Sequence, residues 1–152
     1  MKSFDLAINY AQVSVFDAGL DLPYNDWTPA HVQQGFSWRP GSVSFALPAV
    51  DAVHVEIRLA TSRVSPQSNA KRAVVVPIEK RSTDLIVGSI MSAQHQIELS
   101  EGRYGLLFEA TDDIPANVAL TFFPSSEDAF AVLIASDEMN PDAAIVREAE
   151  SA

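Results

Sequence analysis

Apolar and polar residues alternate one for one along Val53-His54-Val55-Glu56-Ile57-Arg58-Leu59. The valines, isoleucine and leucine fall on one face, and His54, Glu56 and Arg58 on the other, the pattern of a half-buried antiparallel strand. Val43, Phe45 and Leu47 alternate with Ser42, Ser44 and Ala46 in the same way. Val118, Leu120 and Phe122 repeat the pattern, as do Phe130, Val132 and Ile134. Leu6 to Tyr10, Val13 to Phe16, Ala73 to Ile78, Leu85 to Ile90, Ile97 to Leu99 and Tyr104 to Ala110 read as strands from their β-branched and aromatic content. Turn residues divide these runs at Gly19, Pro40-Gly41, Pro48, Ser65-Pro66, Gly88, Glu101-Gly102 and Pro124-Ser125-Ser126.

Many short strands between regular turns predict an all-β fold, an antiparallel two-sheet β-sandwich over residues 1–136. Its expected core holds Phe16, Phe45, Val55, Ile57, Leu59, Val75, Leu106, Phe108, Leu120 and Phe122. One short helix is expected at residues 29–34, with Thr28 as N-cap, Pro29 at the first helical position and Gly35 at the end. Residues 137–152 are rich in acids and read as an acidic C-terminal tail, disordered or a short helix.

Charge narrows the function. Twenty acidic residues face ten basic ones, a net charge of -10. Like charge repels a phosphate backbone, so direct nucleic-acid binding is not expected; a basic protein partner is. The chain has no cysteine, which removes disulfides and thiolate chemistry. Lys2 is followed at once by Asp5 rather than by an apolar run. The apolar stretches are of strand length, far below the roughly 18 residues of a spanning helix. A soluble, cytoplasmic protein without a membrane partner is the expectation.

Catalytic patterns do not emerge. His31, His54 and His95 share no metal-ligand spacing, and are expected as solvated or edge residues. No serine lies in a Gly-x-Ser-x-Gly elbow, and no glycine-rich loop offers a phosphate cradle. Asp112-Asp113 and Glu127-Asp128 are neighbours in turns, a poor arrangement for an acid/base pair. The expectation is a binding protein with no enzymatic activity, cofactor or metal. Lys71-Arg72 and Lys80-Arg81 bracket the valine-rich run and read as gatekeepers against aggregation.

Three acidic groups stand out: Asp17, Asp21 and Asp26; Glu109, Asp112 and Asp113; Glu127 and Asp128. Convergence at one end of a sandwich would make them a negative cap that steers a basic partner. Tyr24 and Trp27 share a loop with Asp21 and Asp26, either as interface aromatics or as packing under the helix. The candidate partner-binding residues are Asp21, Tyr24, Asp26, Trp27, Glu109, Asp112 and Asp113. An exposed sheet edge leaves a homo-oligomer open.

A series of short motifs resembles the competence protein J family. They are Ile8-Asn9-Tyr10, Val13-Ser14-Val15-Phe16, Asp26-Trp27-Thr28, Gln34-Gly35-Phe36, Val43-Ser44-Phe45, Val76-Pro77-Ile78, Val87-Gly88-Ser89-Ile90 and Leu99-Ser100-Glu101-Gly102-Arg103-Tyr104-Gly105-Leu106. Each is short; their order and spacing carry the likeness. The loop Ser62 to Asn69 and the chain after Ala135 depart from it. The resemblance implies an inhibitor that silences a nonspecific, DNA-entry type nuclease by complex formation. Two alternatives stay open: an immunity protein against another secreted toxin, and a small-ligand or carbohydrate-binding sandwich using Trp27, Trp38 and Tyr24 as a stacking platform. A calcium site ranks below these, because the aspartates do not alternate within one loop.

Overall fold

The computed structural model describes residues 2–113, 116–136, 139 and 149–151. Among them are eleven strands and one helix in chain order. They run β1 (Lys2–Ala7), β2 (Gln12–Asp17), α1 (Pro29–Gln34), β3 (Phe36–Arg39), β4 (Ser42–Ala46), β5 (Ala52–Leu59), β6 (Arg72–Lys80), β7 (Leu85–Gly88), β8 (His95–Ile97), β9 (Gly102–Ala110), β10 (Ala116–Pro124) and β11 (Ala131–Ile134). One sheet has the order β1-β5-β10-β9-β6-β11, the other β3-β4-β2-β7-β8. No helix among the described residues is long and apolar enough to cross a membrane. Most of the segment read as an acidic tail lies outside the described residues.

The inward faces follow the period-two pattern. Val53, Val55 and Ile57 of β5, Leu106 and Phe108 of β9, and Val118, Leu120 and Phe122 of β10 meet Val13, Val15, Val43, Phe45, Leu85 and Val87 of the smaller sheet. At the centre the Phe45 and Phe108 rings stack with centroids 4.4 Å apart and planes 2° from parallel. Three expected core residues sit elsewhere. Phe16 is buried on the outer face of its sheet, edge-on to Tyr24. Val75 belongs to a second cluster with Ala73, Leu107 and Phe123 on the outer face of the larger sheet. Leu59 is 60% exposed, because it borders an open cleft of about 590 Å³ shared with Ile97, Leu99 and Phe122.

One pairing departs from the antiparallel expectation: β10 runs parallel to β5. Residues 60–71 explain it. β5 and β6 both run from the same end of the sheet, so the chain between them must travel back along its length. It does so over the outer face, where Gln67 N donates to the Glu109 carboxylate at 2.6 Å and Lys71 N to Ala110 O at 2.8 Å. The loop therefore covers Val75, Leu107 and Phe123 that alternation alone would leave in water. Of the expected gatekeepers, Arg72 and Lys80 are buried instead of solvated. The Arg72 guanidinium donates to Ala46 O at 2.9 Å and braces the two sheets. Pro77 lies beyond the stretch of β6 that β11 pairs with, where a missing N–H costs no ladder bond on that side.

The open edges of β1 and β8 close on each other. Phe4 and His95 stack with centroids 3.7 Å apart, and the Lys2 ammonium donates to Gln96 O at 3.0 Å. Burial, and then the nearby Lys2 charge, hold the His95 imidazole below its ordinary pKa of 6.5. The unfolded chain thus takes up this proton more readily than the folded one. Stability is complete above the ordinary value and falls as pH drops below it.

Two outcomes follow. Phe108→Ala, which empties the centre of the core, lowers unfolding free energy by about 3–5 kcal/mol, read as a shift in the denaturant midpoint. His95→Phe keeps the ring stack and flattens the fall of Tm between about pH 7 and pH 5; an unchanged slope excludes His95 as its source.

Candidate protein-interaction surface

Register divides the sandwich into two ends. The Ala110 end carries Ala52, Arg72, Ala110 and Ala116 of the larger sheet, and Gln12, Ala46 and Gly88 of the smaller. The Gly102 end carries Leu59, Lys80, Gly102 and Pro124, facing Asp17, Ser42 and Leu85.

The loop between β2 and α1 crosses the outer face of the smaller sheet from one end to the other. It leaves β2 through Leu20 N, bonded to Asp17 O at 3.1 Å, at the Gly102 end. Asn25 staples its middle: the side-chain amide donates to Ser37 O (2.8 Å) and Ser42 O (3.1 Å), and its oxygen accepts from Arg39 Nε at 2.7 Å. Beneath it the hydroxyls of Ser14 and Ser44 pair at 2.7 Å. Those serines look like solvent-facing positions in the sequence; the loop buries them, so they satisfy each other. The loop reaches the Ala110 end at Trp27, whose indole donates to Gln12 Oε1 at 3.2 Å.

Thr28 then caps α1 as the sequence predicts. Its side chain accepts from His31 N, and the His31 ring nitrogen accepts from Thr28 N at 3.0 Å. This is a capping box with histidine in the place usually held by Glu or Gln. His31 is therefore buried, contrary to the solvated reading, and Trp27 packs edge-on against its ring. His54 faces Asp5 at 2.9 Å near the exposed edge strand.

The predicted site residues separate. Asp21 is exposed near the Gly102 end. Tyr24 is half-buried against Phe16. Asp26 is tied to Glu150: its N–H donates to Glu150 O at 2.8 Å and its carboxylate accepts from Glu150 N at 2.9 Å. Ala149 N adds a bond of 2.6 Å to Trp38 O. Glu109 is buried under the 60–71 crossover and holds Gln67 there. Asp112 and Asp113 follow β9 at the Ala110 end, both exposed.

The three acidic groups do not converge. Asp17 and the Glu127-Asp128 turn share the Gly102 end, where the Asp17 carboxylate accepts from Gly19 N and Thr83 Oγ1, and Asp128 pairs with Arg103 at 2.7 Å. Glu79 there lies 3.7 Å from Arg81. At the Ala110 end, Asp51, Asp112 and Asp113 are exposed and form no ion pair with a described residue, and Lys71 is the exposed cation near them among the described residues. The stacking platform does not assemble either. Trp38 packs on Phe130 and donates to Pro77 O at 2.8 Å, while Trp27 and Tyr24 have the separate partners above.

The sequence missed the corner at Asn9 and Ser89. Tyr10, expected at the end of a strand, instead forms a tight turn with Ala11, with left-handed φ of 56° and 51°, bridged by Asn9 and Gln12. Such backbone costs an L-residue roughly 1–2 kcal/mol. Ser89, 80 positions away, compensates: its hydroxyl accepts from Asn9 N at 2.9 Å and contacts Gln12 O at 2.8 Å, while the Asn9 amide donates to Ile90 O. Two of the sequence motifs meet here, and no local signal marks the meeting.

Asn25→Ala removes the bonds its amide makes to the Ser37 and Ser42 carbonyls and to Arg39 Nε. It is expected to lower stability by about 1–3 kcal/mol and to open the β2–α1 loop to limited proteolysis near Asp21 and Leu22. Cleavage kept at the wild-type rate refutes the staple.

The comparisons agree with this architecture. A family model described as competence protein J (ComJ) matches residues 5–147. The chain is 28% identical over 105 residues to the DNA-entry nuclease inhibitor of Bacillus subtilis (strain 168), covering 69% of this chain and 78% of that protein. Its fold is that of the crystal structure of ComJ, inhibitor of the DNA degrading activity of NucA, from Bacillus subtilis, with a TM-score of 0.73 at 23% identity, over 82% of this chain and 96% of that one. The chain belongs to the competence protein J family.

Proposed function

We propose that this protein inhibits a DNA-degrading nuclease by forming a complex with it. The observation that carries the reading is the family match through residues 5–147, joined to a relative named for inhibition of the DNA-entry nuclease. Its charge supports the mechanism. An enzyme that grips DNA presents cations to the phosphate backbone. A protein of net charge -10 is drawn to that surface and occupies it, so the inhibitor needs no reacting group of its own.

We place the contact at the Ala110 end, where exposed cations among the described residues are fewer. Asp51, Asp112 and Asp113 stand exposed there with Lys71 as the exposed cation among the described residues, whereas the Gly102 end mixes its exposed acids (Asp21, Asp84, Glu98, Glu101 and Glu127 besides Glu79 and Asp128) with the exposed Arg81 and Arg103. Exposed charges of this kind mainly accelerate and orient encounter, and salt screens them.

Titration into the nuclease of this type from the same organism, with plasmid degradation as the readout, is expected to show stoichiometric protection that weakens from low to high salt. Asp112→Lys with Asp113→Lys raises the protecting concentration at least tenfold, while Asp21→Lys changes it little. Intact degradation at a large molar excess of the wild-type protein sinks the reading and turns attention to another toxin.

A further inference from the structure

We propose that the turn tips Tyr10 and Met91 form the apolar anchor by which the protein holds its nuclease. The inference rests on the inhibitor reading and deepens it by naming the contact that gives affinity where the carboxylates give steering.

Tyr10 is 75% and Met91 88% exposed, the highest values among the exposed large hydrophobic residues described. Both sit on left-handed backbone, with φ of 56° and 63°. Together with Ala11 they are the non-glycine residues at positive φ among those described. A large apolar side chain is an unfavoured choice for either requirement alone. At each tip the two coincide.

The tips are also held. Ser89 Oγ accepts from Asn9 N, the Asn9 amide reaches Ile90 O, and Ser92 Oγ accepts from Ser89 N at 2.9 Å. The residue before Tyr10 is thus bonded to the residue before Met91. Fixing both turns in the free protein removes ordering cost at the moment of binding. Exposed aromatic and methionine side chains on a rigid frame are typical interface anchors.

Charge selects the occupant. Residues 8–13 and 88–94 contain no ionisable group besides the Tyr10 phenol, so the tips rise from an uncharged collar. Beyond it stand Asp51, whose carbonyl accepts from Ile8 N at 2.8 Å, and Asp26 beside Trp27, with Asp112 and Asp113 at the same end. Lys71 is the exposed cation there among the described residues. A second copy of this chain would bring those carboxylates against each other. A basic nuclease surface with an apolar recess between its cations fits both the tips and their surroundings.

The test replaces Tyr10 and Met91 by asparagine, which accepts left-handed backbone more readily than either. Tyr10→Asn with Met91→Asn is expected to keep or raise Tm while the concentration protecting plasmid from the same-organism nuclease rises at least tenfold, matched by a tenfold higher Kd in calorimetry. Val64→Asn, an exposed apolar position on the 60–71 crossover, leaves both unchanged. If the double variant lowers Tm, Met91→Asn alone decides by the same two readouts. Wild-type protection with unaltered protection by the variant overturns the anchor and leaves the inhibitor reading standing. No protection by wild type overturns both. Wild-type dimers in light scattering that the substitutions dissociate overturn the anchor in favour of contact between copies.

Discussion

The Phe45 and Phe108 rings, parallel and 4.4 Å apart, mark the place where the two sheets are pressed together. Burial of the inward faces is the constraint to which the rest of the structure answers. Neither sheet is stable with its apolar face in water, so the chain must cross between them repeatedly, and each crossing fixes where a loop begins and ends. The turn at Asn9–Gln12 delivers β1 and β2 to opposite sheets. Arg72 locks the same end by reaching Ala46 across the interface.

Both outer faces are then covered by irregular chain. The β2–α1 loop lies over Ser14, Ser44 and Phe16, pinned by Asn25. The 60–71 crossover lies over Leu107 and Phe123, pinned by Glu109. Two polar side chains that look ordinary in the sequence therefore serve as staples. Their burial explains why Glu109 does not stand with Asp112 and Asp113, although it precedes them by a few positions. It also explains how a modest run of loop serves in place of extra strands.

Function of the kind proposed uses what is left uncovered. Carboxylates at the Ala110 end act over distance, and the turn tips at contact. The two contributions respond differently to perturbation, since salt screens the first and hardly touches the second. Strain at Tyr10 and Ala11 is the local cost of holding an aromatic ring at the tip of a tight turn, offset by hydrogen bonds from Ser89.

The sequence by itself determined most strands, the α1 capping box at Thr28, the acidity and the family likeness. These are local or summed properties: side-chain direction alternates with period two, a cap spans three residues, and charge simply adds. It placed Asp112 and Asp113 in a turn but not at an end shared with Asp51 and Trp27. It missed β3, whose alternation of Phe36 and Trp38 with Ser37 and Arg39 lasts only four residues, and it read Tyr10 as strand because neither Tyr10 nor Ala11 is a turn-forming residue. The parallel β5–β10 pair, the burial of Glu109, Arg72 and His31, and the meeting of Asn9 with Ser89 were decided by tertiary structure alone. Each depends on contacts between residues far apart in the chain or on which face a loop covers, and those follow from packing two sheets together, not from any window of neighbouring residues.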